Sequence, residues 1–435
     1  MAKRLTYYIL AGLVLGIFTG WAINAALYDG TPEATQRLAD VAGYFSIVTT
    51  LFLRLIKMII APLVLSTLIV GIAHMGDTTA LGRVGAKALL WFISASLVSL
   101  TLGLILVNTL QPGVGLNLAI PAADAASGVE RSSFNLAEFI AHLVPQSIFE
   151  AMATNEILQI VIFSLFIGVA ITAIGEPARP LVRAAEALAK VMLQVTDYVM
   201  RVAPLAVFAA VTAAIAERGP EIIGTFGFFI GSFYGGLVIL WALLIGAAFL
   251  VVGRRARLLV RYIREPALLA FSTASSEAAF PRTLEALDRF GVPPRIGSFV
   301  LPLGYSFNLD GSMMYMTFAT IFIAQAYGID LSLGQEITML LVLMVTSKGI
   351  AGVPRASLVI ITATLSMFNL PEAGVLLVLA VDHFLDMGRS ATNVVGNAVA
   401  SVVVARWEGT LDPLEPAEIE PPHAPSRQPV PPSES

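Results

Sequence analysis

The sequence contains no cysteine. Disulfides, a thiolate nucleophile and a thiolate metal site are excluded at once. Charge is scarce as well: only 13% of the 435 residues are Asp, Glu, Lys or Arg, against roughly 25% in a soluble domain. No HExxH, GxSxG or phosphate-loop motif occurs, so nothing points to an enzyme, and no organic cofactor is expected. The basic residues sit at the ends of apolar segments instead of along one face, which argues against nucleic acid as a partner. What is abundant is apolar: 57% of the residues are hydrophobic and the mean hydropathy is +0.82. The lipid bilayer is therefore the expected surrounding, and the fold class is an all-α polytopic membrane protein.

Apolar stretches predict spans at 7–27, 43–73, 86–110, 140–174 (broken), 184–217 and 224–252. The first carries Lys3 and Arg4 ahead of it and lacks a small-residue cleavage pattern, so it reads as a retained span. From residue 259 the pattern changes. Polar, Gly- and Pro-rich patches interrupt apolar runs at 272–281 (STASSEAAFP), 304–311 (GYSFNLDG) and 346–354 (TSKGIAGVP). Such backbone cannot face lipid and is tolerated only inside protein or along a cavity. The stretches 259–328 and 333–407 each read as an interrupted hairpin followed by a polar span. Paired interruptions of this kind mark a transporter's binding site. Basic residues fall on alternate connections: Lys3/Arg4, Arg83/Lys87, Arg179/Arg183 and the cluster Arg254, Arg255, Arg257, Arg261 and Arg264. The positive-inside rule then places the amino terminus in the cytoplasm. The Pro-, Glu- and Ser-rich tail 408–435 reads as a disordered cytoplasmic extension.

The last span carries Asp382, Asp386, Arg389, Asn393 and Asn397 at spacings of 4, 3, 4 and 4, one stripe on a helix. Two readings stand side by side. Asp386 and Arg389 neutralise each other as a structural pair, or Arg389 receives a substrate carboxylate and Asp386 a substrate ammonium. Ser275 and Ser276 in the first hairpin, and Gly352 and Val353 in the second, lie at reversals whose free N–H groups suit an anion. Asn308 and Asp310 fall in an unwound NLDG turn, with Gly311 supplying backbone freedom; they suit a hard cation such as sodium, or the turn is a helix kink with Asp310 satisfied by neighbouring hydroxyls. Glu277 is either a proton carrier or half of an ion pair with Lys348 or Arg355.

These motifs, with DHFLDMGRSATNVVGN at 382–397, resemble the dicarboxylate/amino acid:cation symporter family, which contains the glutamate transporters. The likeness is strongest over 259–409, and within the family it is greatest to bacterial proton/glutamate–aspartate symporters. The resemblance implies eight transmembrane helices, two re-entrant hairpins and an elevator-type homotrimer in the bacterial inner membrane, with both termini cytoplasmic. It assigns 1–75 and 112–220 to a scaffold, and 76–111, 221–258 and 259–407 to a moving transport part. It also implies that Asp386 binds the substrate α-amino group and that Arg389 and Ser312 bind its side-chain carboxylate. Ser276, Gly352, Val353 and Asn393 would hold the α-carboxylate, with Ser390 lining the pocket. Asp382, Asn397, Asn308, Asp310 and Glu277 would serve the coupling cation.

Departures from sodium-coupled members remove ligands: Asn397 replaces Asp, Leu309 replaces Met, and Phe92 and Ala95 replace Tyr and Thr. Met316 stands where animal members have Glu, and Glu277 where many have Ser. These favour protons over sodium. Arg355 in place of a common Gly has no account. The expectation is cation-coupled uptake of L-glutamate or L-aspartate. The alternatives are a C4-dicarboxylate symporter of the same family, sodium coupling, and, from another class, an ion channel.

Overall fold

The computed structural model describes residues 2–73, 78–114, 140–141, 143–219, 226–347, 356–379 and 381–412. Long runs with few polar groups can satisfy their backbone only within themselves, and the described residues are helical throughout, without strands. In chain order the helices are α1 (Ala2–Leu27), α2 (Pro32–Ala73), α3 (Thr78–Leu110), α4 (Ile148–Thr154), α5 (Ile157–Ile174), α6 (Arg179–Met200), α7 (Ala203–Arg218) and α8 (Gly227–Val252). There follow α9 (Ala256–Thr273), α10 (Phe280–Phe290), α11 (Pro294–Phe307), α12 (Asp310–Ala326), α13 (Leu333–Thr346), α14 (Ala356–Met367), α15 (Val375–Leu379) and α16 (Asp382–Trp407). By length and composition, five helical stretches among the described residues can cross a membrane, or six with the bent pair formed by α6 and α7.

Two boundaries differ from the sequence reading. The stretch 184–217 is not one continuous helix: α6 and α7 meet at a bend of 53°. Arg179, Arg183, Glu186 and Lys190 make α6 amphipathic, and Pro204 at the start of α7 lacks the N–H that a continuous helix would use. Helix α2 also starts eleven residues before the predicted apolar edge, at Pro32. Its first turns are polar and are initiated by Thr31, whose hydroxyl accepts from the Ala34 N–H. The break within 140–174 is observed at Asn155, which takes a left-handed conformation between α4 and α5.

Helices α1, α2, α5, α6 and α7 pack on one another, with α2 along much of α5, α6 and α7. The later helices gather around α16, which meets α8, α9, α11, α12 and α3. Almost every residue of α16 beyond Leu385 is buried, which is why its polar residues must find partners inside the protein. Contacts of α2 with α11 join the two groups. The predicted first hairpin is present as α9 and α10, which pack together across a tip at 274–279. Ala274 takes φ 48° there, and the N–H of Ser275 caps the Ala270 carbonyl at 3.1 Å. The second hairpin is represented by α13 and α14; its predicted tip, with Lys348, Gly352, Val353 and Arg355, lies outside the described residues.

Candidate substrate and cation site

The chain unwinds for two residues, Asn308 and Leu309, between α11 and α12, as the polar NLDG patch predicts. Gly311 has another role than the one expected of it. It lies within α12, and a side-chain carbon there would meet the Arg389 carbonyl oxygen at 2.6 Å and its Cα at 2.8 Å. The glycine lets α12 cross against α16 beside Arg389.

The stripe on α16 is assembled around Arg389, which is 2% exposed. Its Nη2 lies 2.8 Å from Asp386 Oδ1 and 3.3 Å from Asp382 Oδ1. The guanidinium carbon stacks 4.0 Å from the centroid of the Tyr315 ring, a favourable cation–π geometry. The Tyr315 hydroxyl donates to Asp382 Oδ1 at 2.7 Å, and Ser390, next to Arg389 in the chain, is buried. Two donors of Arg389, Nε and Nη1, are buried without a hydrogen-bond partner among the described residues. Leaving buried guanidinium donors unmade is costly, and charged N–H donors suit an anion such as a carboxylate. Asp386 keeps 33% of its side chain exposed whereas Arg389 keeps 3%, so the site opens on the carboxylate side. The pairing expected of a purely structural stripe is thus present, and it leaves the guanidinium half unsatisfied.

Asn393 lies one turn further on. Its Oδ1 accepts from the Gly311 and Ser312 N–H groups at 2.9 and 3.3 Å, and its Nδ2 donates to the Ser312 hydroxyl at 3.2 Å. The structure therefore brings Ser312, Asp386, Arg389, Ser390 and Asn393 together, with Asp382 tied to the same cluster.

A second cluster lies at the break. Asn308 Nδ2 donates to Asp310 Oδ2 at 3.1 Å and to Asn397 Oδ1 at 3.2 Å, and Ser99 on α3 donates to Asp310 Oδ1 at 3.3 Å. Asn308, Asp310 and Asn397 are all essentially buried. Asn308 Oδ1 has no partner among the described residues, and this acceptor beside a carboxylate fits a small cation. Asn397 Nδ2, also unpartnered among the described residues, is a donor and cannot serve as a ligand. Phe92 and Ala95 line the same α3 face as Ser96 and Ser99 and are buried, so that face offers hydroxyls at two positions and hydrocarbon at two others. Among the described residues no three His, Asp or Glu side chains gather as metal ligands.

The first hairpin's residues engage its own turn and α11. Ser275 Oγ accepts from the Ala278 N–H at 3.3 Å, and the Tyr305 hydroxyl donates to the Ser276 carbonyl at 2.9 Å. Glu277 has a cationic neighbour that was not foreseen, Lys57 on α2, at 3.9 Å; Lys348 and Arg355, named as candidates, lie outside the described residues. Tyr315 was missed too, since in the sequence it is one aromatic in an apolar run.

Comparison with known proteins extends over nearly the whole chain. The profile of the sodium:dicarboxylate symporter family matches residues 5–407. A proton/sodium-glutamate symport protein of Bacillus caldotenax is 38% identical, over 93% of this chain and 94% of its own length. A proton/glutamate-aspartate symporter of Escherichia coli is 40% identical over 94% of each. A C4-dicarboxylate transport protein of Laribacter hongkongensis is 39% identical over 94% of this chain and 91% of its own length.

Proposed function

The chain belongs to the sodium:dicarboxylate symporter family, and on that premise we propose that it takes up L-glutamate or L-aspartate together with protons. It is a multi-pass membrane transporter, not an enzyme, and an acidic solute and a coupling cation follow from its relatives. The observation that carries the finer reading is the Arg389 guanidinium: two buried donors without partners among the described residues, held beside a half-open carboxylate at Asp386. Arg389 would take the substrate's side-chain carboxylate, assisted by Ser312, and Asp386 its ammonium group. Asn393, Ser276, Gly352 and Val353 would hold the α-carboxylate end, with Ser275 and Ser390 beside them.

Charge accounting supports coupling to a cation. Asp382 and Asp386 outnumber Arg389, and an acidic amino acid adds a further net negative charge. Like charges a few ångströms apart in a buried site repel by several kcal/mol, so a cation entering with the solute offsets that cost. The candidates are Glu277, Asp382, and the cluster of Asn308, Asp310 and Asn397. Protons are favoured because Phe92, Ala95, Leu309 and Asn397 withhold cation ligands; sodium at Asn308 and Asp310 is the alternative. A C4-dicarboxylate remains the second reading, carried by the relative named for it; Asp386 speaks against it, because a dicarboxylate brings no ammonium.

The grouping of α1, α2 and α5–α7 on the one hand and of the helices around α16 on the other, in contact mainly through α11 and α9, supports an elevator, with the second group moving against the first. We assign the chain to a homotrimer in the bacterial inner membrane, with both termini in the cytoplasm. The test is uptake of labelled glutamate, aspartate and succinate into proteoliposomes under separate proton, sodium and potassium gradients. Concentrative glutamate or aspartate uptake driven by a pH gradient without sodium is expected. Succinate uptake alone, or a strict sodium requirement, would overturn the reading.

A further inference from the structure

An apolar groove of about 440 Å³ runs between α8, α9 and α16, on the Gly388 and Thr392 side of α16. Its volume lies in the range of small-molecule sites, about 300–1,000 Å³. Trp241 and Ile245 form one wall, Leu268 and Phe271 the other, and Val395 lies at the floor. Trp241 is fixed by a 2.8 Å hydrogen bond from Nε1 to the Thr392 hydroxyl, so its indole face is held toward the groove. At the rim, Val238 is 69% exposed, in a helix long and apolar enough to lie in a membrane.

One end of the groove is cationic. Arg264 lines it, and Arg257, Arg261 and Arg264 follow spacings of 4 and 3 on α9, the same helical stripe that continues as Leu268 and Phe271. All three arginines are exposed, and none makes a hydrogen bond or ion pair among the described residues. From Arg264 to Phe271 the helix advances about 10 Å, hydrocarbon throughout except for its start. An occupant must therefore be apolar along Trp241 and Phe271 and anionic at Arg264.

We propose that this groove binds an anionic phospholipid, with an acyl chain between Trp241 and Phe271 and its phosphate on Arg264 and Arg261. Guanidinium groups pair bidentately with phosphate, and basic pockets between membrane helices select anionic headgroups. A neutral lipid would fill the hydrocarbon part and leave three arginines unanswered. A protein segment from a second copy would have to bring its own acid to the same point. The proposal does not depend on which solute is carried.

The test uses the groove's own tryptophan. With Trp21→Phe, Trp91→Phe and Trp407→Phe, Trp241 is the sole tryptophan of the chain. The protein is reconstituted in phosphatidylcholine vesicles containing either brominated phosphatidylglycerol or the same amount of brominated phosphatidylcholine. Stronger quenching by the brominated phosphatidylglycerol is expected. Arg264→Ala should reduce the preference about fivefold, the effect of one basic residue near an anionic surface, and Arg264→Lys should keep most of it. Should Arg264→Ala fail to fold, a salt titration of the parent reads the same interaction, since the preference must fall as ionic strength screens the arginines. Equal quenching by the two lipids would overturn the proposal. So would the absence of quenching by either, which would mean that protein covers the groove.

Discussion

Gly311 and Arg389 touch through backbone: a β-carbon on the glycine would stand 2.6 Å from the arginine's carbonyl oxygen. It would also meet Thr392 Cβ at 2.9 Å. Such a contact must be relieved by moving α12 away from α16, because neither backbone can yield locally. The same movement would pull the Gly311 and Ser312 N–H groups from Asn393. Gly311→Ala is therefore expected to cost about 1–3 kcal/mol, the usual range for overpacking, and to weaken substrate binding. Gly231→Ala on α8, where nothing lies within 4 Å, is the control and should unfold at the parent temperature. Thermal unfolding of the two purified variants checks this, and equal melting temperatures would refute the crowding argument.

Tyr315 acts on Arg389 in two ways that substitution separates. Its ring lies under the guanidinium, and its hydroxyl is bonded to Asp382. Tyr315→Phe keeps the ring and leaves Asp382 with Arg389 alone, which then draws the guanidinium toward Asp382. The loss is that of one hydrogen bond, about 1 kcal/mol or fivefold in glutamate affinity. Tyr315→Leu removes the cation–π contact as well, a further loss of about 1–2 kcal/mol. Titration calorimetry of glutamate on both variants should give that order, and identical affinities would place Tyr315 outside the site's support.

Asp386 is the residue that separates the two substrate readings. Removing its charge takes away the proposed partner of an ammonium group. Asp386→Asn should abolish binding of glutamate and aspartate, because a buried charge without its partner costs about 3–5 kcal/mol. A dicarboxylate carries no ammonium, so any succinate binding should survive the change. Radioligand binding to the purified variant reads both solutes, and unchanged glutamate affinity would sink the assignment.

The α16 stripe was legible because its five polar residues recur at helical spacing in a setting where polarity is costly. The interruptions at 274–276 and 308–309 were legible for the same reason: polar, glycine-rich backbone stands out in apolar sequence. The bend at 201–202 was not, since apolar content runs on into α7 and hydropathy carries no direction. Tyr315 and Lys57 were hidden for a different cause. Each becomes part of the site only when helices far apart in sequence cross, and nothing near them in the chain encodes those crossings. Gly311 was noticed with the wrong reason attached, because a glycine's sequence neighbours do not reveal which backbone approaches it.

The far end of α16 carries a carboxylate clamp whose pH dependence follows from its geometry. Glu408, just past the helix, has a side chain only 6% exposed, with Arg83 Nε at 3.0 Å and Lys87 Nζ at 2.6 Å. Lys87 also donates to the Trp407 carbonyl at 2.7 Å, and Trp407 meets Trp91 edge to face at 5.9 Å. The clamp thus fixes the start of α3 to the end of α16, two helices proposed to move together. Burial alone would raise the Glu408 carboxyl, but hydrogen bonds from Lys87 and Arg83 outweigh it and hold the group below its ordinary value. A carboxyl lowered by folding contributes stability that is fully present above its unfolded pKa, about 4.3, and is lost as pH falls through the folded value. Glu408→Gln should therefore melt below the parent at pH 7, with the gap closing as the solution is acidified through that window. With Arg83 largely in solvent, the gap should amount to about 1 kcal/mol or less. Melting curves of parent and variant across the acid range decide it. A gap that persists at low pH would mean that Glu408 holds the two helices by packing instead of charge.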